Sequence, residues 1–340
     1  MVKKIIYAAR TAANGYEYWI TDGTSAGTVL ITDLNPGAPS GAGFALGQIG
    51  NDVIVSAASS GTNYELWATN GTAAGTRLIG EINTGSASSD PYVIGQIGNV
   101  IVLAATGANG TELYRTDGNT VTAIQDIRPG ASSSTPVGLG VLGTKILFSA
   151  DNGTNGRELW VMDGTNGGAT LVKDINTVGS ISANGISNTA TGLVFGGKVF
   201  FRATDGASAT QIWASDGTNA GTVKFGTVAI INESIVYNNN LIFTGASTAD
   251  GGAEQEVWIS DGTAGGTSKL KDIWPGTSGS SPANFTLFNG LVYFAAADNT
   301  NGRELWRTDG TSGGTVMVAD LRAGTDGSNP SNFVVFEDKL

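Results

Sequence analysis

Short apolar runs alternate with turn residues along almost the whole chain. The last complete unit shows the pattern most clearly, with runs at Asn284–Phe288, Leu291–Ala297, Glu304–Thr308 and Val316–Leu321. Runs of this length, rich in Val, Ile, Phe, Tyr and Trp and bounded by Gly, Asn, Asp and Ser, predict strands. No segment carries a helical period. In the second run both alternating sets are apolar or small: Leu291, Tyr293, Ala295 and Ala297 on one side, Val292, Phe294 and Ala296 on the other. Such a strand must be covered on both faces.

The runs belong to a repeat. An aromatic residue followed three positions later by Asp-Gly-Thr or a close variant occurs seven times, at Trp19, Trp67, Tyr114, Trp160, Trp213, Trp258 and Trp306, with spacings of 48, 47, 46, 53, 45 and 48 residues. A period of about 20–50 residues signals a solenoid, propeller or array. Four-stranded blades packed between neighbouring blades cover both faces of each strand and leave only short edges. The expected fold is therefore all-β: one domain over residues 1–340, a seven-bladed β-propeller of four-stranded antiparallel blades. Asn332–Leu340 matches the start of a unit and Ile5–Ala9 matches a second strand. The C-terminal strand is expected to pair with the N-terminal three strands of one blade and close the ring.

The best-kept stretches read GRELWVMDGTNGGATLVKDI (156–175), GRELWRTDGTSGGTVMVADL (302–321) and the shortened GTELYRTDGNTVTAIQDI (110–127). They resemble the bacterial ELWxxDGTxxGT repeat family over essentially the whole chain. The resemblance implies a β-propeller repeat protein, secreted or displayed at the cell surface, with a poorly defined biochemical role.

Composition narrows the function. Eighteen basic against 29 acidic residues give a net charge of −11, which argues against nucleic acid, whose binding rests on phosphate neutralisation. With no His and no Cys among the 340 residues, a Ser-His-Asp triad, imidazole-ligated zinc, thiol nucleophiles and disulfides are excluded. No apolar run reaches the roughly 18 residues of a membrane span. Met1-Val2-Lys3-Lys4 leads directly into a strand without a signal-peptide apolar region. No membrane insertion is expected, and an extracellular or cell-surface location rests on the resemblance alone.

Two repeated motifs are open to a functional and a structural reading. Asp-Gly-Thr at Asp22, Asp163, Asp216, Asp261 and Asp309, with variants at Asn70 and Asp117, could supply calcium ligands. One carboxylate per turn is few for a tight site, and the same residues specify a tight turn. No cofactor is predicted beyond weak calcium binding. Glu17, Glu65, Glu112, Glu158, Glu256 and Glu304, with Gln211 in the fifth copy, stand two residues before the aromatic. Period-two alternation places each on its face, with Leu66, Leu113, Leu159 and Leu305 opposite. A Trp beside a carboxylate could bind sugar, but recurrence in every unit favours packing between sheets, with the indole N–H finding a partner.

Variation inside a constant frame is the stronger pointer to recognition, because loops on rigid scaffolds carry binding. The loop leaving the fourth strand presents Asn35, Arg128, Trp274 and Arg322, with Asn83 and Asn176 at the corresponding positions of two other units. The repeat is least regular from the fourth to the sixth unit: around Asn176–Thr191, around Thr227–Ile231, and at an acidic insertion holding Asp250, Glu254 and Glu256. These nine residues are the candidate ligand-binding set, and no catalytic or metal residue is assigned.

The expected function is a non-enzymatic extracellular binding or adhesion module presenting repeated loops to glycans or to a surface protein. One alternative is a structural repeat protein that self-assembles into a surface layer, sheath or filament. The other is a carboxylate-based glycoside hydrolase using Glu254 and Glu256, for which the separation of the two acids decides.

Overall fold

The computed structural model describes residues 3–340 other than 166, 178–183, 188–191, 208–209, 227, 248 and 250–252. Seven antiparallel sheets follow one another along the chain, and no helix occurs among the described residues. The first has three strands, β1 (Ile5–Thr11), β2 (Gly15–Thr21) and β3 (Val29–Leu30). Six four-stranded sheets follow. They are β4 (Ala42–Ile49) to β7 (Arg77–Gly80), β8 (Tyr92–Ile97) to β11 (Val121–Gln125), β12 (Val137–Leu142) to β15 (Thr170–Lys173), β16 (Leu193–Phe195) to β19 (Val223–Lys224), β20 (Val228–Tyr237) to β23 (Thr267–Lys271), and β24 (Ala283–Phe288) to β27 (Val316–Ala319). Within every sheet each strand pairs with its neighbour in sequence.

The chain divides into two compact units, residues 1–193 with 217–219 and residues 194–216 with 220–340. Within each, consecutive sheets pack face to face. In the first unit Val102, Ala104 and Leu113 of the third sheet share one cluster with Ile146, Phe148 and Trp160 of the fourth. In the second unit Ile242 and Val257 of the sixth sheet pack with Val292, Phe294 and Trp306 of the seventh. The second strands are covered on both faces as their composition requires: Ile101, Val102, Leu103, Ala104 and Ala105 are all fully buried. The second strand and the Trp on the third thus form the space-filling elements between sheets.

The C-terminal segment 329–340 forms no strand and holds only the isolated bridge Phe336–Lys339. Its backbone nevertheless repeats the entry to β24. Asn329, Asn332 and Glu337 have φ of 52°, 56° and 52°, where Ser281, Asn284 and Asn289 have 47°, 63° and 46°. The anchoring is repeated as well. Asn329 N–H donates to Arg303 O at 3.0 Å, just as Ser281 N–H donates to Gln255 O at 3.0 Å. This segment has the shape of a first strand, and its apolar side chains stand in solvent, Val334 and Phe336 each 70% exposed.

Candidate functional site

Every position of the repeated motif has a structural task. In the first turn the Asp22 carboxylate accepts from Thr24 N–H at 3.0 Å and Thr24 Oγ1 at 2.7 Å, and Thr24 Oγ1 accepts from Gly27 N–H at 2.9 Å. Thr28 Oγ1 then donates to Thr24 O at 2.6 Å and shares a hydrogen bond with Thr21 Oγ1 at 2.7 Å. The turn at Asp309 repeats the set through Thr311, Gly314, Thr315 and Thr308. Asn70 does the same without a charge. Gly23 lies at φ +91°, and a Cβ at Gly27 would fall 2.0 Å from Asp22 Oδ1. The second glycine of the motif, whose reason is not evident in one dimension, makes room for the carboxylate of the first Asp. These bonds hold the carboxyls of Asp22, Asp163, Asp261 and Asp309 below their usual range, the Thr hydroxyl contributing most.

The glutamates are buried clamps. Glu256, fully buried, accepts from Ile273 N–H at 3.0 Å, Trp274 N–H at 3.1 Å, Ser280 N–H at 3.0 Å and Ser280 Oγ at 2.5 Å. Glu17, Glu65, Glu112, Glu158 and Glu256 each contact the loop leaving the last strand of their own sheet, and Glu17, Glu112, Glu158 and Glu256 tie it to the segment leading to the next. Glu112 holds Ile127 and Ser134 in this way, and Glu304 holds Leu321 and Ser328. Glu158 has the backbone donors of Ile175, Asn176 and Gly185. Burial pushes its carboxyl up to about 7 against these bonds. Glu17, Glu65, Glu112 and Glu256 are also raised by burial. At Glu304 burial acts in the same direction, yet the bonds from Ser328 and the loop leave the carboxyl below its usual value. The indole N–H groups follow the expectation only in part. Trp160 Nε1 donates to Ala150 O at 3.1 Å, whereas those of Trp19, Trp213, Trp258 and Trp306 have no partner among the described residues.

The variable loop positions turn inward more than the sequence suggests. Asn35 is buried and its Nδ2 donates to Ser40 O at 3.1 Å and Gly61 O at 2.8 Å. Asn83 Nδ2 donates to Ser88 O at 2.9 Å and Asn176 Nδ2 to Asn184 O at 3.2 Å. These three amides fasten their own loops. Arg128 is paired with Asp151 at 2.6 Å and Arg322 with Asp326 at 2.7 Å. Trp274 is half-buried. Asp250 lies outside the described residues, as do Thr227 and most of the segment 176–191. Glu254, Glu256 and Asp272 do converge, their nearest carboxylate oxygens lying within 4.8 Å of one another. The trio is already served by a cation of the chain. Lys269 Nζ lies 2.8 Å from Glu254 and 3.5 Å from Asp272. With Glu256 engaged by four donors and Glu254 and Asp272 beside Lys269, the trio has the geometry of a structural ion cluster.

The arrangement best suited to a ligand lies elsewhere, in the first unit. A cavity of about 650 Å³ is lined by Ala8 of β1, Tyr16 of β2, Phe44 of β4, Tyr64 of β6 (Tyr64–Thr69), Tyr92 of β8 and Asp90. Phe44 is 79% exposed, Tyr16 49% and Tyr92 37%, although all three are large aromatics. The hydroxyl of Tyr92 donates to Pro136 O at 2.9 Å, which fixes that ring. A Cβ at Gly43 would lie 2.6 Å from Ser56 O and 3.1 Å from Tyr64 Cδ1, so glycine there allows β4 to approach the Tyr64 ring. Clefts of roughly 300–1,000 Å³, mostly apolar with a few polar groups, are typical ligand sites. In sequence these aromatics sit in four different strands of three repeats, and only Tyr16 and Tyr64 share a place in the motif, three residues before Trp19 and Trp67.

No family model matches the chain, and no curated protein matches it. Among solved structures it is similar to one of two prolyl endopeptidases (12% identity, TM-score 0.42, covering 97% of this chain and 49% of that one). It is also similar to a puromycin hydrolase (12%, 0.39, 97% and 53%) and to oligopeptidase B from Leishmania major (11%, 0.45, 96% and 48%). The chain spans about half the length of these structures. The similar chains are peptidases and a hydrolase, not adhesion proteins. The expectations of a non-enzymatic extracellular binding or adhesion module and of a chain that is not an enzyme are therefore withdrawn. At these identities and TM-scores the likeness transfers no activity to this chain.

Proposed function

We propose that the chain is a ligand-recognition domain whose site is the aromatic cavity of the first unit. The carrying observation is the set of solvent-exposed aromatic rings held around one space by a rigid frame of hydrogen-bonded strands. Exposed aromatic surface of this kind marks binding sites on soluble folds. The expected occupant is a small molecule or one large apolar side chain of a polymer. The neutral apolar fluorophore Nile red is expected to bind the full chain. Phe44→Ser should weaken it about fivefold, the loss of one aromatic contact of about 1 kcal/mol, with an unchanged melting temperature because Phe44 is 79% exposed. Absence of binding to the parent protein, or equal binding by the variant, would overturn the reading.

The scaffold we propose is a seven-bladed β-propeller of four-stranded blades, in which segment 329–340 completes the three-stranded first sheet. Support comes from the backbone of that segment and from the edge of β1, where Ile5 is 65% exposed. In the seventh sheet Leu287 faces Val292. Matching the repeats puts Val335 in the place of Leu287 and Ile5 in the place of Val292. Facing Cα atoms in an antiparallel pair lie about 4.5–5.5 Å apart, within disulfide reach, and the chain has no cysteine of its own to confuse the readout. The double variant Ile5→Cys/Val335→Cys is expected to form a disulfide within one chain under mild oxidation, and Ile6→Cys/Val335→Cys to form far less. Cross-links only between chains, or equal yields in both registers, would rule the pairing out.

A further inference from the structure

The cavity's lining carries more information than its apolarity. Besides Ala8 and the aromatic rings of Tyr16, Phe44, Tyr64 and Tyr92 it includes one acidic side chain, Asp90, and among the described residues no Lys or Arg lines it. Asp90 is exposed and sits at φ +42°, a conformation that Asp and Asn tolerate better than other side chains. Arg10 stands opposite Tyr16 in the β1–β2 pair but does not line the cavity, and the basic side chain behind the wall is Arg157, whose charge reaches Tyr92. It is buried and spends its guanidinium on Thr135 O, Ser149 O and Ser134 O. The chain as a whole carries a net charge of −11.

Aromatic faces present negative electrostatic potential, and a cation over several of them is held by each favourable contact, more strongly as water is excluded. A carboxylate at the rim adds attraction that needs no desolvation of its own. A neutral apolar ligand would use the rings and gain nothing from Asp90. An anion would be repelled by it.

Resting on the proposed role of this cavity as the ligand site, we infer that its ligand is an organic cation with an apolar body: an arylalkyl or quaternary ammonium compound, or the equivalent group on a larger molecule. The rings hold the apolar body and the face of the ammonium, and Asp90 supplies the counter-charge at the mouth.

The test compares phenyltrimethylammonium with its neutral isostere tert-butylbenzene, titrated into the full chain and followed by nuclear magnetic resonance. The cation is expected to bind about tenfold more tightly. Asp90→Asn, which keeps the backbone preference, should cut that advantage to threefold or less while leaving the isostere's affinity unchanged. Equal binding of both probes, or an advantage indifferent to Asp90→Asn, would overturn the cation assignment and leave the cavity as an apolar site that still binds Nile red. Failure of both probes and of Nile red would overturn the cavity reading and this inference together.

Discussion

Replacing Glu256 by Gln is expected to cost about 2–4 kcal/mol of stability, with a melting temperature lower by several degrees, although only an oxygen is exchanged for a nitrogen. Both oxygens of Glu256 accept, and all four donors around them belong to the loop 273–280. An amide brings two N–H groups into a space built for acceptors, leaving buried donors facing a donor. Unpaired buried polar groups cost more than their hydrogen bonds contribute when made. Thermal melts of the parent and of Glu256→Gln, with the exposed Glu337→Gln as the surface comparison, check this. If Glu256→Gln melted with the parent, the clamp would be unimportant. If it abolished a reaction while leaving the melt unchanged, the structural assignment of this acid would be wrong.

Stability is also expected to fall as the pH rises from about 4.5 to 7. The usual Glu value is 4.5 and the folded value of Glu158 is about 7, so in this window the folded chain keeps a proton that the unfolded chain has released. The contribution is fully present below 4.5 and lost as the pH rises through 7. At about 1.4 kcal/mol for each pH unit of the window, the whole effect of Glu158 is at most a few kcal/mol. The other raised glutamates act with the same sign. Asp22, Asp163, Asp261 and Asp309, lowered from 3.8 by their turn hydrogen bonds, contribute stability that is lost only on acidification below that value. Denaturation midpoints at pH 5, 6, 7 and 8 should decline, and Glu158→Gln should flatten the profile. A parent profile that rises over this range would show that burial does not govern Glu158.

Among the candidate site residues, the sequence misleads most where side chains are short. Asn35, Asn83 and Asn176 vary with Arg and Trp at an equivalent position, which reads as a recognition surface. In the fold each amide reaches a carbonyl of its own loop, because a short polar side chain beside a tight bend finds backbone partners before it finds solvent. Glu254 and Glu256 read as paired acids two residues apart. Lys269, thirteen or more residues away in sequence, is brought beside them by strand pairing, and only that pairing reveals an ion cluster. The aromatic cavity shows the converse. Tyr16, Phe44, Tyr64 and Tyr92 occur on different strands, and no single-strand pattern marks them as neighbours.

The sequence by itself determined the seven units, the strands within them, the two-sided burial of the second strand and the turn at each Asp-Gly-Thr, because these follow from local periodicity and backbone preference. It also limited the chemistry, since a chain without His or Cys has few ways to build a reactive centre. Only the tertiary structure decided what the repeated Glu is for, why a second glycine follows the turns at Asp22, Asn70, Asp216, Asp261 and Asp309, and where exposed aromatic surface gathers. Those outcomes depend on which segments meet, and contact between strands far apart in the chain leaves no periodic trace in one dimension.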